Sequence, residues 1–450
     1  MYIFKKISLE PFALNDFKLK KNSLLGEAKV PGDKSMSQRA VIIGLASIGQ
    51  TVIKGILDSE DVYYTLKAAE ALGAKVDINK NKKTLTIKGV GLGNFKSPKK
   101  PIYMGNSGTG TRLLIGLVAG SNATVTFYGD ESLSNRPMDR IINPLKKMGA
   151  NFVFSEEKKL PITVIGARKK GITMPIKYKS PVASAQIKSA IIFAGLTARG
   201  ATEIEEPNKS RNYTEVMLKK CGVEINSKIS KKYINTVTVN GTSYLKNCSF
   251  NIPSDPSSAL FIVVACLITK GSKVKVKNIL YDNMRLKVFK VLTKMGGMIK
   301  INKTSIDTCE IIAKYSVLKN INLNKNATTA LIDEFPALSI AAACGKGKMI
   351  MKGLGELRYK ESDRFKSISE GLRNAGVQVN TFNDDMEIIG TRKVLGGNTI
   401  FAQNDHRIAM SFNLLSLFSE KPIRVIGNES IMTSFPDFFS TLKLLKKWIR

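Results

Sequence analysis

Short amphipathic runs that end in glycine and pass directly into alternating apolar residues recur along the chain. They are Leu72-Gly73-Ala74-Lys75-Val76, Met148-Gly149-Ala150-Asn151-Phe152, Cys221-Gly222-Val223-Glu224-Ile225, Met295-Gly296-Gly297-Met298-Ile299 and Ala375-Gly376-Val377-Gln378-Val379. Their first glycines stand 76, 73, 74 and 80 residues apart. A left-handed residue that closes a helix costs least as glycine, so each run predicts a helix end followed by a strand. A turn and a second alternating segment follow most of them, at 84–88, 162–165, 237–239 and 309–312.

Upstream of each amphipathic helix the pattern predicts a second, more apolar one whose first residues are polar. Those starts are Lys34-Ser35-Met36-Ser37-Gln38-Arg39, Asn106-Ser107-Gly108-Thr109-Gly110-Thr111-Arg112, Ser184-Ala185-Gln186, Asp255-Pro256-Ser257-Ser258, Asp333-Glu334-Phe335-Pro336 and Asp405-His406-Arg407, in steps of 72, 78, 71, 78 and 72 residues. The chain therefore reads as an α/β (α+β) protein of six repeated βαβαββ-type units, with buried parallel helices and sheets on the outside. Two domains of three units each are expected, one over 32–251 and a discontinuous one over 1–31 plus 252–450, with the first strand, near 24–30, crossing to the second domain. Parallel helix N-termini would gather unpaired N–H groups and positive dipole ends, which is an anion trap.

Composition narrows the class. Of 450 residues 43% are apolar, and the longest unbroken apolar run, from Ala259 to Ile268, is ten residues, half of the roughly 20 that span a bilayer. The stretch 1–12 lacks the long apolar core of a leader, so a cytoplasmic location is expected. The five cysteines have no C-x-x-C spacing and read as reduced thiols. With one histidine in the chain, no metal site is legible. A net charge of +34 raises the possibility of a nucleic-acid partner, but of 70 basic residues 55 are scattered lysines and 15 are arginines. Six of those arginines, Arg39, Arg112, Arg136, Arg211, Arg364 and Arg407, fall inside the repeats near Gly, Ser or Asp, where bidentate binding of a carboxylate or phosphate would demand them.

The densest chemistry is Leu357-Arg358-Tyr359-Lys360-Glu361-Ser362-Asp363-Arg364. On a helix start Glu361 and Arg364 would share a face, a proton-moving carboxylate beside an anion-holding guanidinium. The alternative is a solvated charged turn. Lys34 to Arg39 is either a capped basic helix or an ammonium, hydroxyl and guanidinium set for a ligand. In Asn106 to Arg112, Gly108 and Gly110 would let a ligand approach the backbone, although the Gly-Lys-Ser/Thr ending of a nucleotide loop is missing. Arg136, before Pro137, is a surface residue or a reaching cation. Ser184 and Asp255 are helix caps or ligand contacts. Asp333-Glu334 places two carboxylates at the mouth of an apolar helix, and the single histidine, His406, is as readily structural as catalytic.

Together, Pro31-Gly32-Asp33-Lys34-Ser35, Gly105-Asn106-Ser107-Gly108-Thr109, Ser184-Ala185-Gln186, Leu357 to Arg364, Asp405-His406-Arg407-Ile408-Ala409-Met410-Ser411 and Ser434-Phe435-Pro436-Asp437 resemble the 3-phosphoshikimate 1-carboxyvinyltransferase (EPSP synthase) family, of the divergent bacterial, class II-like kind. The resemblance implies a two-domain enolpyruvyl transferase fold with the active site in the cleft between the domains, no cofactor, and a monomer. Its substrates would be shikimate 3-phosphate and phosphoenolpyruvate, with glyphosate as an inhibitor. By resemblance Lys34, Ser35, Arg39, Ser184, Ala185, Gln186, Arg211, Asp333 and Lys360 hold shikimate 3-phosphate, and Lys34, Asn106, Gly108, Arg136, Gln186, Arg364 and Arg407 hold phosphoenolpyruvate. Lys34, Asp333 and Glu361 are the proton-transfer candidates. Thr433 stands where many relatives carry a lysine. The alternative within the architecture is UDP-N-acetylglucosamine enolpyruvyl transferase, whose loop cysteine would precede Arg136, where this chain has Asp130-Glu131-Ser132-Leu133-Ser134-Asn135. A basic nucleic-acid-binding protein is the alternative of another class, and it lacks the aromatic basic strands or recognition helix of such modules.

Overall fold

The first four repeats build the same sheet, and the second shows how. Strand Ile102–Tyr103 runs parallel to Thr124–Tyr128, with helix Gly108–Ala119 between them in sequence; helix Asp139–Lys147 then leads to the antiparallel hairpin of Asn151–Phe154 and Ile162–Ile165. The last strand inserts between the first two strands and the third, giving a four-stranded sheet with one parallel edge. The chain is described here from a computed structural model that covers residues 23–155, 159–230, 234–242, 244–325, 327 and 331–445. The stretch 1–12, read above for a leader, lies outside these residues.

The chain divides into two compact units after Asp33 and after Ile252. In the Lys34–Ile252 unit, strand Phe250–Asn251 pairs in parallel with Ile53–Lys54 and completes the first repeat's sheet. In the other unit, Leu25–Ala28 does the same for Lys273–Val276. The fifth repeat keeps a three-stranded sheet of Lys346–Met351, Asp385–Thr391 and Gln378–Phe382, its parallel edge reduced to bridges at Lys319 and Leu323. The sixth departs from the repeat. Its sheet is the parallel pair Thr399–Phe401 and Arg424–Ile426, after which a 3-10 turn, Asn428–Thr433, and helix Phe438–Leu444 stand where the hairpin would be.

The glycines that end the amphipathic helices all take the left-handed conformation, with φ of 113° at Gly73, 99° at Gly149, 83° at Gly222, 91° at Gly296 and 84° at Gly376. The more apolar helices fill the cores. Pro256–Ile268 and Phe335–Cys344 are buried at every position, and Lys34–Ala46 is buried from Ser37 onward. In each unit three such helices pack on one another, and Gly116 shows how closely: a Cβ there would lie 2.4 Å from the Ala190 carbonyl oxygen. Strands around them alternate, as in Thr84–Lys88 with Leu85 and Ile87 inward, so each sheet covers the helices with one face and meets water with the other. No helix among the described residues is long and apolar enough to cross a membrane.

The cysteines depart from the all-reduced reading. Cys221 and Cys248 form a disulfide with Cα atoms 5.6 Å apart, while Cys266, Cys309 and Cys344 are free and buried. The two partners are 27 residues apart in sequence and are brought together by the hairpin that follows Gly222, a proximity that spacing alone does not reveal.

Candidate active site

In the unit that begins at Pro253, strand Lys346–Met351 passes through a 3-10 turn, Gly355–Tyr359, into helix Arg364–Asn374. Asp363 caps that helix by accepting from the Lys366 amide at 2.9 Å. The pairing of Glu361 with Arg364 is present, but not on a helix face: the helix starts at Arg364, and Glu361 reaches it from the preceding turn. Arg364 is 1% exposed. Its Nε donates to Asp405 Oδ2 at 2.7 Å, its Nη2 to Glu361 Oε2 at 2.5 Å, and its Nη1 lies 3.8 Å from Asp333 Oδ1. Burial alone would weaken its hold on its proton, but the charges of Asp405, Glu361 and Asp333 outweigh that and raise its pKa. Arg364 is thus a fixed cation.

Asp405, also buried, is the N-cap of helix His406–Phe418. Its Oδ1 accepts from the Arg407 amide at 2.9 Å while its Oδ2 holds Arg364, so one carboxylate satisfies both a helix start and a guanidinium. Arg407 in turn donates from Nη1 to the Asp333 carbonyl at 2.6 Å, and Lys360 Nζ reaches Asp333 Oδ1 at 3.2 Å. Lys360, Arg364 and Arg407 therefore interlock with Asp333, Glu361 and Asp405. Asp333, Glu361 and Lys360 are part-exposed, so solutes reach them. An anion can be held and a proton moved at the same spot. His406 is buried with Nδ1 3.4 Å from Thr433 Oγ1, and Thr433 donates to the Ser430 carbonyl at 2.8 Å; both serve the end of the 3-10 turn.

Glu334 parts from Asp333. It turns inward, accepts from Ser257 Oγ at 2.7 Å and lies 3.8 Å from Arg285 Nε. Arg285 also binds Asp33 at 2.9 Å and Asp255 at 2.6 Å, a buried guanidinium among three carboxylates. Sequence reasoning passed over Arg285, yet a signal existed. Arg136, Arg211, Arg285 and Arg364 stand 13, 11, 11 and 12 residues before the capping glycines of their repeats, so one structural position carries arginine four times. The motif at Asp405 does not by itself disclose a role for that carboxylate; the N-cap geometry does.

In the Lys34–Ile252 unit, the turn before helix Gly108–Ala119 gathers a second cluster. Arg136, 8% exposed, donates from Nη2 to Asn106 Oδ1 and to Ser132 Oγ, and Asn106 Nδ2 donates to Asp130 Oδ2 at 2.8 Å. Gln186, in the first turn of helix Ala185–Gly195, accepts from Arg112 Nη1 at 2.8 Å and donates to Thr109 Oγ1 at 2.9 Å. Gly108 lies under both arginines: a Cβ there would sit 2.8 Å from Arg136 Nη1 and 3.2 Å from Arg112 Nη1. Gly110 differs from the expectation of an open approach, because its Cα faces the hydroxyls of Thr65 and Ser107 in the core. Lys34 pairs with Asp61 at 2.9 Å, and Gln38 one turn on donates to Ser107 Oγ, so the first helix is tied to the same turn.

A third group surrounds Arg39. Its guanidinium, 2% exposed, donates to Thr214 Oγ1 at 2.7 Å, to the Ser35 carbonyl at 2.9 Å and to Ser189 Oγ at 3.1 Å. Arg39 thus joins three helices, a role that its motif position did not disclose. Ser184 caps helix Ala185–Gly195 by accepting from the Ile187 amide at 3.4 Å, with Ala185 beside it. Arg211 sits between strand Ala201–Glu206 and helix Tyr213–Lys220, part-exposed.

Comparison with known proteins bears on what these clusters serve. A sequence profile of the EPSP synthase (3-phosphoshikimate 1-carboxyvinyltransferase) family matches residues 19–442. The chain is 42% identical to the 3-phosphoshikimate 1-carboxyvinyltransferase of Nitrobacter hamburgensis over 431 residues, covering 94% of this chain and 95% of that one. It is equally 42% identical to the enzyme of that name from Parvibaculum lavamentivorans over 426 residues, 94% of each. The EPSP synthase structure from Acinetobacter baumannii superposes with a TM-score of 0.81 at 36% identity, covering 94% of this chain and 96% of that one. The enolpyruvyl transferase NikO from Streptomyces tendae, at 14% identity, shares the fold with a TM-score of 0.74 over 94% of this chain and 95% of its own. The repeated sheets, the polar helix starts and these matches lead to one assignment: the chain belongs to the EPSP synthase family.

Proposed function

We propose that the protein transfers the enolpyruvyl group of phosphoenolpyruvate to the 5-hydroxyl of shikimate 3-phosphate, releasing inorganic phosphate. The observation that carries this reading is the interlocked set of Asp333, Lys360, Glu361, Arg364, Asp405 and Arg407. Addition–elimination needs fixed positive charge for a carboxylate and a phosphate, and carboxylates that take up and return protons. In this scheme Lys34, Asn106, Gly108, Arg136, Gln186, Arg364 and Arg407 hold phosphoenolpyruvate. Lys34, Ser35, Arg39, Ser184, Ala185, Gln186, Arg211, Asp333 and Lys360 hold shikimate 3-phosphate.

Asp333 takes the proton of the 5-hydroxyl as its oxygen bonds to C2 of phosphoenolpyruvate, while Glu361 delivers a proton to C3 and turns the methylene into a methyl group. Lys34 steadies the charge on the phosphate. The tetrahedral adduct then returns a methyl proton to Glu361, the C2–O bond to phosphate breaks as the departing phosphate takes the proton held by Asp333, and the enol ether forms, which restores both carboxyl groups. At the position where a uridine-sugar enzyme would carry its loop cysteine, Asp130 caps the turn Glu131–Ser134 through the Leu133 amide at 2.7 Å and holds Asn106. Phosphate release tests the reading. Release from phosphoenolpyruvate with shikimate 3-phosphate, and none with UDP-N-acetylglucosamine, is expected; the reverse preference would overturn it.

A further inference from the structure

Beneath the Ser184, Arg39 and Arg211 groups lies a charged network that the reaction scheme does not use. Lys188, the fourth residue of helix Ala185–Gly195, is 1% exposed. Its Nζ lies 3.0 Å from Glu206 Oε2 and 2.9 Å from Glu215 Oε1. Glu206 ends strand Ala201–Glu206; its other oxygen accepts from Ser210 Oγ at 2.6 Å, and Asn235 Nδ2 donates to Oε2 at 3.1 Å. Glu215 lies in the first turn of helix Tyr213–Lys220, and its second oxygen is buried without a hydrogen-bond partner among the described residues. One ammonium therefore joins a helix, a strand end and a second helix in the interior. Burying three charges is expensive, and a hydrophobic set of similar volume would commonly be as stable. Stability alone is a weak reason for the network.

Its neighbours supply a better one. Ser210 precedes Arg211, so Glu206 anchors the loop that presents that arginine. Thr214 and Ser189, adjacent to Glu215 and Lys188, hydrogen-bond each other at 2.6 Å and together hold Arg39. Ser184 and Ala185 stand one turn before Lys188 on its helix. We infer that Lys188 is a positioning residue for the shikimate 3-phosphate side of the site, setting Arg211 and the Arg39 group against the Ser184 helix start through Glu206 and Glu215. This inference rests on the proposed function. The phosphoenolpyruvate cluster at Asn106, Gly108 and Arg136 makes no hydrogen bond to Lys188, Glu206 or Glu215 among those described and meets the Lys188 helix through Gln186, so the loss should fall mainly on shikimate 3-phosphate.

The experiment compares wild type with Lys188→Met and Lys188→Arg. Affinity for shikimate 3-phosphate is read by calorimetry well below the melting temperature, and the KM for phosphoenolpyruvate at saturating shikimate 3-phosphate. Displacement of binding groups by about an ångström costs up to roughly 100-fold, so Lys188→Met is expected to weaken shikimate 3-phosphate by about tenfold or more. The KM for phosphoenolpyruvate should stay within about twofold, and Lys188→Arg should recover most of the affinity. A folded Lys188→Met protein with unchanged affinity, or with both constants worsened alike, overturns the inference. If that variant does not fold, Glu215→Gln carries the test: a selective loss of shikimate 3-phosphate affinity supports the inference and unchanged affinity overturns it. Wild type that releases phosphate while the variants bind normally removes Lys188 alone; wild type that neither binds nor turns over removes the proposed function as well.

Discussion

Replacing Gly108 by alanine probes the phosphoenolpyruvate side with one methyl group. Gly108 is the first residue of helix Gly108–Ala119 and has no left-handed φ, so alanine suits its backbone and would favour the helix by up to about 1 kcal/mol. Folding should not suffer. The new Cβ would lie 2.8 Å from Arg136 Nη1, about 0.6 Å short of ordinary contact, and 3.2 Å from Arg112 Nη1. Arg136 is tethered through Nη2 to Asn106 and Ser132, so it can give way only by loosening those bonds. A charge-assisted hydrogen bond contributes roughly 1.5–3 kcal/mol, and losing part of one corresponds to about a tenfold rise in the KM for phosphoenolpyruvate. Glyphosate is expected to compete with phosphoenolpyruvate and, being longer, should lose more, so its inhibition constant should rise well beyond tenfold. Steady-state kinetics on both proteins give the two constants, and a melting curve checks the fold. Equal proportional changes in KM and inhibition constant, or no change in either, would refute the argument that space beneath Arg136 sets the choice.

Other outcomes follow from the same contacts. Glu361→Gln keeps the shape and an acceptor for Arg364 and removes the proton carrier, so kcat should fall by about 10²–10⁴ with KM values little changed, and near-normal turnover would take Glu361 out of the mechanism. Arg285→Met leaves Asp33, Asp255 and Glu334 buried without their cation; denaturant unfolding should show a loss of about 3 kcal/mol or more, and a loss under about 1 kcal/mol would show that water reaches the cluster. Burial, with the nearby charges of Asp61 and Asp130, raises the Glu60 carboxyl above its usual range. The proton is then held more tightly in the folded state, so the folded form is favoured at low pH and loses that advantage as pH rises through the raised value. Glu60→Gln should therefore raise the melting temperature at pH 7 and leave it nearly unchanged at pH 4; an equal shift at both would reject the assignment.

Local patterns carried much of this architecture. Gly73, Gly149, Gly222, Gly296 and Gly376 each close a helix in the left-handed conformation because no other residue does so cheaply, and that makes the repeat visible in sequence. The polar starts at Lys34, Asn106, Ser184, Asp255, Asp333 and Asp405 likewise mark helix entries, since orphan amides call for polar partners. What stayed hidden depends on tertiary partners. Asp333 and Glu334 are adjacent, yet one faces Lys360 and the other Arg285. Arg39 and Arg136 look alike in sequence and both are buried, but the hydroxyls of Thr214 and Ser189, from another repeat, hold Arg39, whereas Asn106 and Ser132 of its own repeat hold Arg136. Lys188 reads as one polar residue on an apolar helix until Glu206 and Glu215 are placed beside it. The sixth repeat lost its hairpin where no glycine-capped helix follows Arg424–Ile426, a missing signal that regular spacing upstream obscured.

The central claim is enolpyruvyl transfer through a protonated adduct, and magnetic resonance in deuterated water tests it most directly. On mixing the protein with phosphoenolpyruvate and shikimate 3-phosphate, the phosphorus signal of phosphoenolpyruvate should give way one for one to inorganic phosphate while the shikimate phosphate ester persists. The vinyl group of the product should carry solvent deuterium, because C3 passes through a methyl stage. Unchanged phosphoenolpyruvate, phosphate drawn from shikimate 3-phosphate, or a product vinyl group free of deuterium would contradict the account.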